Sequence, residues 1–124
     1  MRRKTKTLTD QELQIMKVIW ERGEATVRDV VAALSEQRQI AYTTVMTMMN
    51  ILEQKGHLKK RQVDRAFVYK PAHAQEQVIG SMVREFVDRV FNGSAAPLLL
   101  HLVDEKKLTE KELNEIREIV RRKT

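Results

Sequence analysis

A mostly helical chain carrying one small β-hairpin is what this sequence predicts, on three observations. Apolar residues recur at helical spacing through most of its 124 residues. Only residues 58–71 read as strands, the second of them, Ala66 to Lys70, with the period of two of a half-buried hairpin. Three times, at Thr9, Thr26 and Thr109, a threonine stands three residues before an acid at the head of an apolar run, the grammar of a helix start. With 42% hydrophobic and 32% charged residues, the chain can bury one modest core or two small ones. A large multidomain enzyme is excluded on size.

The first helix starts near Asp10. Thr9 caps it, Glu12 reaches back to close the capping box, and Leu8 staples to Leu13. Leu13, Met16 and Trp20, with Ile15 and Ile19 beside them, give it a broad apolar face up to the stop at Gly23. Thr26 and Asp29 open a second, short helix whose Val27, Val30, Val31 and Leu34 fall at i, i+3, i+4 and i+7. A third helix follows from about Tyr42 to Lys55, with Val45, Met48, Met49 and Leu52 at the same spacing before Gly56. Its opposite face is unusual. At 100° per residue Thr43, Thr47, Asn50 and Gln54 line up, Met46 lies at the edge, and there is no carboxylate between Gln37 and Leu52. An ordinary solvated face carries Glu and Lys pairs, so short neutral polar groups point to a surface meant to be covered.

Leu58 to Val63 and Ala66 to Lys70 then read as two strands joined at Asp64-Arg65, a turn without the glycine that tight hairpins favour. The second strand places Phe67 and Tyr69 on one face and Ala66, Val68 and Lys70 on the other. Beyond Pro71 a fourth helix, Gln75 to Phe91, carries Val83, Phe86 and Val90 among eight apolar residues and ends at Asn92-Gly93. Pro97 opens a short helix with Leu98, Leu99, Leu100, Leu102 and Val103. Thr109 caps the last, which carries Leu113, Ile116, Ile119 and Val120. Three apolar helices in some fifty residues lie below the roughly 70 at which a small scaffold stands unaided, so they need a partner, most economically a second copy. The expected organisation is residues 1–71 as one domain and 72–124 as a helical dimerisation domain, with Val83, Phe86, Val90, Leu98, Leu99, Leu102, Leu113, Ile116 and Val120 at the interface.

The charge divides along the same boundary. Residues 1–71 hold fourteen basic and eight acidic side chains, a balance of +6, whereas residues 72–124 hold nine of each. A polyanion partner for the first segment, and a different task for the second, follow from that asymmetry. Helix, helix, polar-faced helix and basic hairpin is the plan of a winged helix-turn-helix domain. The third helix can enter a major groove about 12 Å wide while Lys59, Lys60, Arg61 and Arg65 on the hairpin reach flanking phosphates. Thr43, Met46, Thr47 and Asn50 are then placed to read base edges, and Tyr42, Thr43 and Thr44 at the helix start to meet a phosphate. The rival is a winged helix that uses the same surfaces to bind a protein; the cations favour DNA.

Catalysis finds no foothold. His57, His73 and His101 have no second histidine at i+3 or i+4, no serine sits in a nucleophile motif, and there is no glycine-rich phosphate loop. Zero cysteines remove disulfides and thiolate metal sites, so neither metal nor cofactor is expected. Membrane insertion is not expected either: the uncharged stretch from Gln39 to Leu52 is short of the roughly 18 apolar residues of a spanning helix. The basic Met1-Arg2-Arg3-Lys4 leads into Thr5, Lys6 and Thr7 rather than an apolar run, which points to a cytoplasmic protein.

Trp20, Ala25-Thr26-Val27-Arg28-Asp29-Val30, Ala41-Tyr42-Thr43-Thr44-Val45-Met46-Thr47, Leu52 with Lys55-Gly56, and Arg65-Ala66 with Tyr69 together resemble the penicillinase-repressor family. These are bacterial transcriptional repressors of the BlaI/MecI/CopY type, and the resemblance covers nearly the whole chain. It implies a sequence-specific DNA-binding repressor that occupies a palindromic operator as a homodimer and is released by an inducing signal. It maps DNA contacts onto Tyr42, Thr43, Thr44, Met46, Thr47, Arg61 and Arg65. The copper-responsive branch carries a C-terminal cysteine pair, which this chain lacks, so copper sensing by that route is excluded. In the β-lactam-responsive branch a membrane sensor protease triggers cutting between an Asn and a Phe in the dimerisation region. The corresponding segment, Leu98 to Glu105, places His101-Leu102 at the cut, and neither residue matches, which leaves the inducer open.

Overall fold

The structure, a computed structural model, describes residues 8–124; the basic Met1 to Lys4 lies outside the described residues. Eight elements follow in order: α1 (Asp10–Arg22), α2 (Val27–Ser35), α3 (Tyr42–Gln54), β1 (Leu58–Val63), β2 (Ala66–Pro71), α4 (Gln75–Phe91), α5 (Ala96–Asp104) and α6 (Glu110–Lys123). The three threonine caps all form as reciprocal capping boxes. At α1 the Glu12 N–H donates to Thr9 Oγ1 at 3.2 Å and the Thr9 N–H to Glu12 Oε1 at 2.9 Å, so two otherwise orphaned donors are satisfied by two residues.

The helix stop at Gly56 is equally specific. Its φ of 89° lies in the left-handed region that glycine occupies without penalty. The chain there makes the paired bonds of a Schellman motif, Gly56 N–H to Glu53 O at 3.1 Å and His57 N–H to Leu52 O at 2.9 Å. That turn aims β1 back along α3. The hairpin is antiparallel, with Lys60 opposite Tyr69, Arg61 opposite Val68 and Val63 opposite Ala66. Asp64 takes the left-handed position in the tight turn at φ 56°, a conformation its short polar side chain tolerates better than most.

The core lies where these elements meet. Ile15, Met16 and Ile19 of α1, Val30 of α2, Val45, Met49 and Leu52 of α3, Leu58 of β1 and Tyr69 of β2 are all but sealed from solvent. At about 1.5–3 kcal/mol for each buried aliphatic side chain, this cluster and not the caps carries the stability of the domain. β2 is anchored from a second side, because Tyr69 and Ala25 exchange both backbone hydrogen bonds, at 2.8 and 2.9 Å. Three helices, a two-stranded wing and this shared core make a winged helix.

The chain separates into two compact units that divide between Met82 and Val83, inside α4. The boundary read from the sequence, at residue 71, differs from this by one element half. The first turns of α4 belong with the N-terminal unit because Val78 is buried in its core and Met82 packs against it. The C-terminal unit keeps much of its apolar surface outside. Phe86 and Phe91 meet edge to face with centroids 5.8 Å apart and Val87 is buried, but α5 and α6 contain no buried residue. Val83 is 50% exposed, Leu99 43%, Leu100 64% and Val120 54%. Of the other residues expected at an interface, Phe86 and Val90 are exposed, and Leu98, Leu102, Leu113 and Ile116 are half-buried.

Candidate nucleic-acid interface

The surface of α3 is as the sequence expects except at Asn50, which is half-buried. Thr43, Thr44, Met46 and Thr47 are exposed, Tyr42 is half exposed, and no acid stands in the first turn. Ala41 caps the helix with backbone alone, leaving the N–H groups of the first turn without a side-chain acceptor from their own chain. The positive end of the helix is therefore open to an anion. Among the described residues no group of three or more acidic or histidine side chains could hold a metal ion.

The wing leans over α3 and encloses a groove of about 680 Å³ between the two. Tyr42, Met46 and Asn50 form its floor, Lys60, Arg65 and Phe67 its wing side, and Thr26 and Arg28 at the start of α2 its third edge. Three cations face a single carboxylate there, that of Asp64. The Lys60 ammonium sits 4.8 Å over the Phe67 ring, a cation–π contact that keeps it aimed into the groove without neutralising it. Asn50 is the residue whose position departs most from a free surface side chain. It is half-buried, and its Oδ1 accepts from the Tyr69 hydroxyl at 2.8 Å and from Lys60 Nζ at 3.4 Å. Burial, with the nearby Glu53 and Tyr42, raises the Tyr69 phenol above its ordinary value, so it stays a proton donor at neutral pH.

The four wing cations do not act from one place. Lys60 faces the groove and Arg65 lies at its tip, whereas Lys59 and Arg61 alternate onto the opposite face of the hairpin with Val68 and Lys70. Arg61 makes a two-pronged ion pair with Glu24, at 3.1 and 3.2 Å. The hydrogen bonds and charge of Arg61 hold the Glu24 carboxyl below its usual value, helped by Lys70. Both partners are half exposed, so the pair is weak and a phosphate can displace Glu24 from it. Arg28 is the member of the groove that sequence reasoning passed over. A signal was available: a cation in the first turn of a helix opposes the macrodipole and needs another reason to be there.

Residues 8–122 match the family described as penicillinase repressor. The penicillinase repressor of Bacillus licheniformis is 30% identical over 118 residues, covering 95% of this chain and 92% of that protein. The transcriptional regulator BlaI of Mycobacterium tuberculosis is 38% identical over 99 residues, 78% of this chain and 72% of its own. Among solved structures, the monomeric form of Bacillus licheniformis BlaI in complex with the blaP half-operator superposes with a TM-score of 0.50 at 32% identity, covering 61% of this chain and 92% of that one. The part it covers amounts to about one winged-helix unit. With a match running through nearly every described residue, and with a wing and a third helix of the expected build, the chain belongs to the penicillinase repressor family of bacterial transcriptional repressors.

Proposed function

We propose that this protein represses transcription by occupying a palindromic operator as a homodimer, one N-terminal unit on each half-site, until an inducing signal releases it. The observation that carries this reading is the pairing of an acid-free, exposed α3 surface with a groove whose cations outnumber its carboxylates three to one. Thr43, Met46 and Thr47 present hydroxyls and methyl groups to base edges. Tyr42 and Thr44 at the helix start, with Lys59, Lys60, Arg61, Arg65 and the added Arg28, meet phosphates and set register. The second copy is proposed because α5 and α6 bury none of their own residues while presenting apolar side chains at helical spacing. Release works by weakening that association, and proteolysis at or near His101-Leu102 by a membrane sensor protease is one route to it. The cytoplasm is the compartment such a repressor works in.

Footprinting and a salt titration test the reading together. A protected site with two-fold symmetry, half-sites about 10 base pairs apart or a multiple of that, and affinity falling steeply between about 50 and 200 mM salt are expected. An asymmetric footprint removes the dimer. Salt-indifferent binding, or capture of a protein in place of DNA, would favour the interaction-module reading instead.

A further inference from the structure

Asn50 lies on the face of α3 that reads bases, yet its carbonyl oxygen is already committed. Lys60 Nζ can only donate, so the Asn50 atom 3.4 Å from it is the oxygen, and the Tyr69 hydroxyl 2.8 Å from the same atom is a donor as well. Two-pronged recognition of adenine by asparagine needs that oxygen to accept from the base N6 while Nδ2 donates to N7. An amide oxygen has two acceptor positions and Tyr69 and Lys60 face both, so a base enters only by displacing one of them. Tyr69, for its part, is 2% exposed, ties β2 to Ala25 through two backbone bonds, and puts its hydroxyl on α3. The contact therefore joins the helix that reads to the hairpin that grips.

Resting on the reading of α3 as the helix that enters the groove, we infer that Asn50 is a positioning residue: through Tyr69 and Lys60 it sets the wing against α3 and does not itself choose the base. Base choice then falls to Thr43, Met46 and Thr47. Asn50 fixes instead the distance between those readers and the phosphate contacts of Lys60 and Arg65. Removing the contact leaves the ring of Tyr69 in the core but loosens the hairpin against α3, so that its ladder opens more often.

The test compares wild type with Tyr69→Phe, Asn50→Ala and Asn50→Asp. Amide exchange of the free protein comes first, because it needs no DNA. Tyr69→Phe and Asn50→Ala should speed exchange in β1 and β2 by about 3- to 10-fold, the range of one net hydrogen bond, with α1 unchanged. Asn50→Asp keeps an acceptor for both donors and should restore protection, which a residue serving only as a base reader would have no cause to do. Selection from random duplexes comes second. Tyr69→Phe and Asn50→Ala should lower affinity for every site by a similar factor and flatten the salt dependence by about one ion, with the preferred sequence unchanged. Wild-type exchange rates in both variants, or loss of preference at a single base pair in Asn50→Ala alone, would overturn the inference. Failure of the wild type to bind any duplex defeats the proposed function, and the exchange result still decides the coupling of wing to helix.

Discussion

Acidification should loosen the N-terminal unit through one side chain, His57, before any carboxylate takes part. His57 holds the place just after the Schellman turn of α3, where an apolar residue ordinarily packs back on the helix, and here an imidazole fills it. It is 6% exposed and neither Nδ1 nor Nε2 finds a hydrogen-bond partner among the described residues. Burial lowers its pKa below the ordinary 6.5; Glu12 pulls the other way, and the charges of Lys55 and His73 add to the lowering. The folded state therefore refuses a proton that the unfolded chain accepts once the pH drops below about 6.5, and stability falls by at most about 1.4 kcal/mol per pH unit. Glu12 acts in a lower window. Burial raises its pKa, but the Thr9 N–H and Lys55 outweigh that and hold it below 4.5, so its contribution is lost only on further acidification. Urea unfolding followed by the fluorescence of Trp20, the sole tryptophan, at pH 7, 6 and 5 reads the first window. Wild type should lose midpoint steadily, whereas His57→Leu should stay flat and at pH 7 equal or exceed wild type, since an apolar side chain leaves no orphaned ring nitrogen. Parallel decline in the two proteins would refute the argument.

Other expectations follow from the same contacts. Lys55→Met strands the buried Glu12 carboxylate that Lys55 Nζ meets at 2.9 Å and should cost about 2 kcal/mol in chemical denaturation, less than a fully buried pair because Lys55 keeps some solvent access. Thr47→Ala should relax preference at one base pair and lose about 1–3 kcal/mol on the best site, while Arg65→Ala should weaken all duplexes alike; binding-site selection on both separates reader from clamp. Leu99→Glu places a charge on the apolar face of α5 and should give a monomer in sedimentation, with the Trp20 signal of the N-terminal unit unchanged. A persistent dimer would move the interface to other helices.

What could be read from the sequence was whatever is local. The capping boxes of Thr9, Thr26 and Thr109 use partners three residues apart, and the stop at Gly56 uses partners within five, so spacing alone reveals them. The hairpin was legible from the alternation of its second strand, and Asp64 supplies the left-handed residue that its turn, lacking glycine, needs. Contacts made across the fold were not. Nothing in the order of residues joins Asn50 to Tyr69, Glu12 to Lys55 or Arg61 to Glu24, which are separated by 19, 43 and 37 positions. The chemistry of each side chain suited both a ligand contact and an internal one, and only the packing of the wing on α3 decides between them. The same holds for α4, whose apolar surface covers more than half its circumference and so does not say which turns belong to which core; Val78 and Met82 are claimed by the first.

The separation of cores bears on how repression can be switched. The N-terminal unit contains all the buried side chains it needs to hold α3 and the wing, from Leu8 to Val78, and none of them comes from residues beyond Met82. A signal acting on residues 83–124 can therefore leave the reading surface folded and change only how many such surfaces are tied together. In the proposed dimer the second half-site is bound at the effective concentration set by the link, commonly in the millimolar range, and cutting the link forfeits a factor of about 10²–10⁴ in affinity without touching a base contact. A cut near His101-Leu102 would detach α6 (Glu110–Lys123), whose Ile119 and Val120 are exposed on the isolated chain and whose own residues bury nothing. The severed protein should then bind a single half-site as the intact chain's own N-terminal unit does, and lose only the cooperation between two. Titrating a half-site and a full operator with intact and severed protein measures this: near-equal half-site affinities with a collapsed full-site affinity are expected, and a matching loss on the half-site would mean that the C-terminal unit also shapes the reading head.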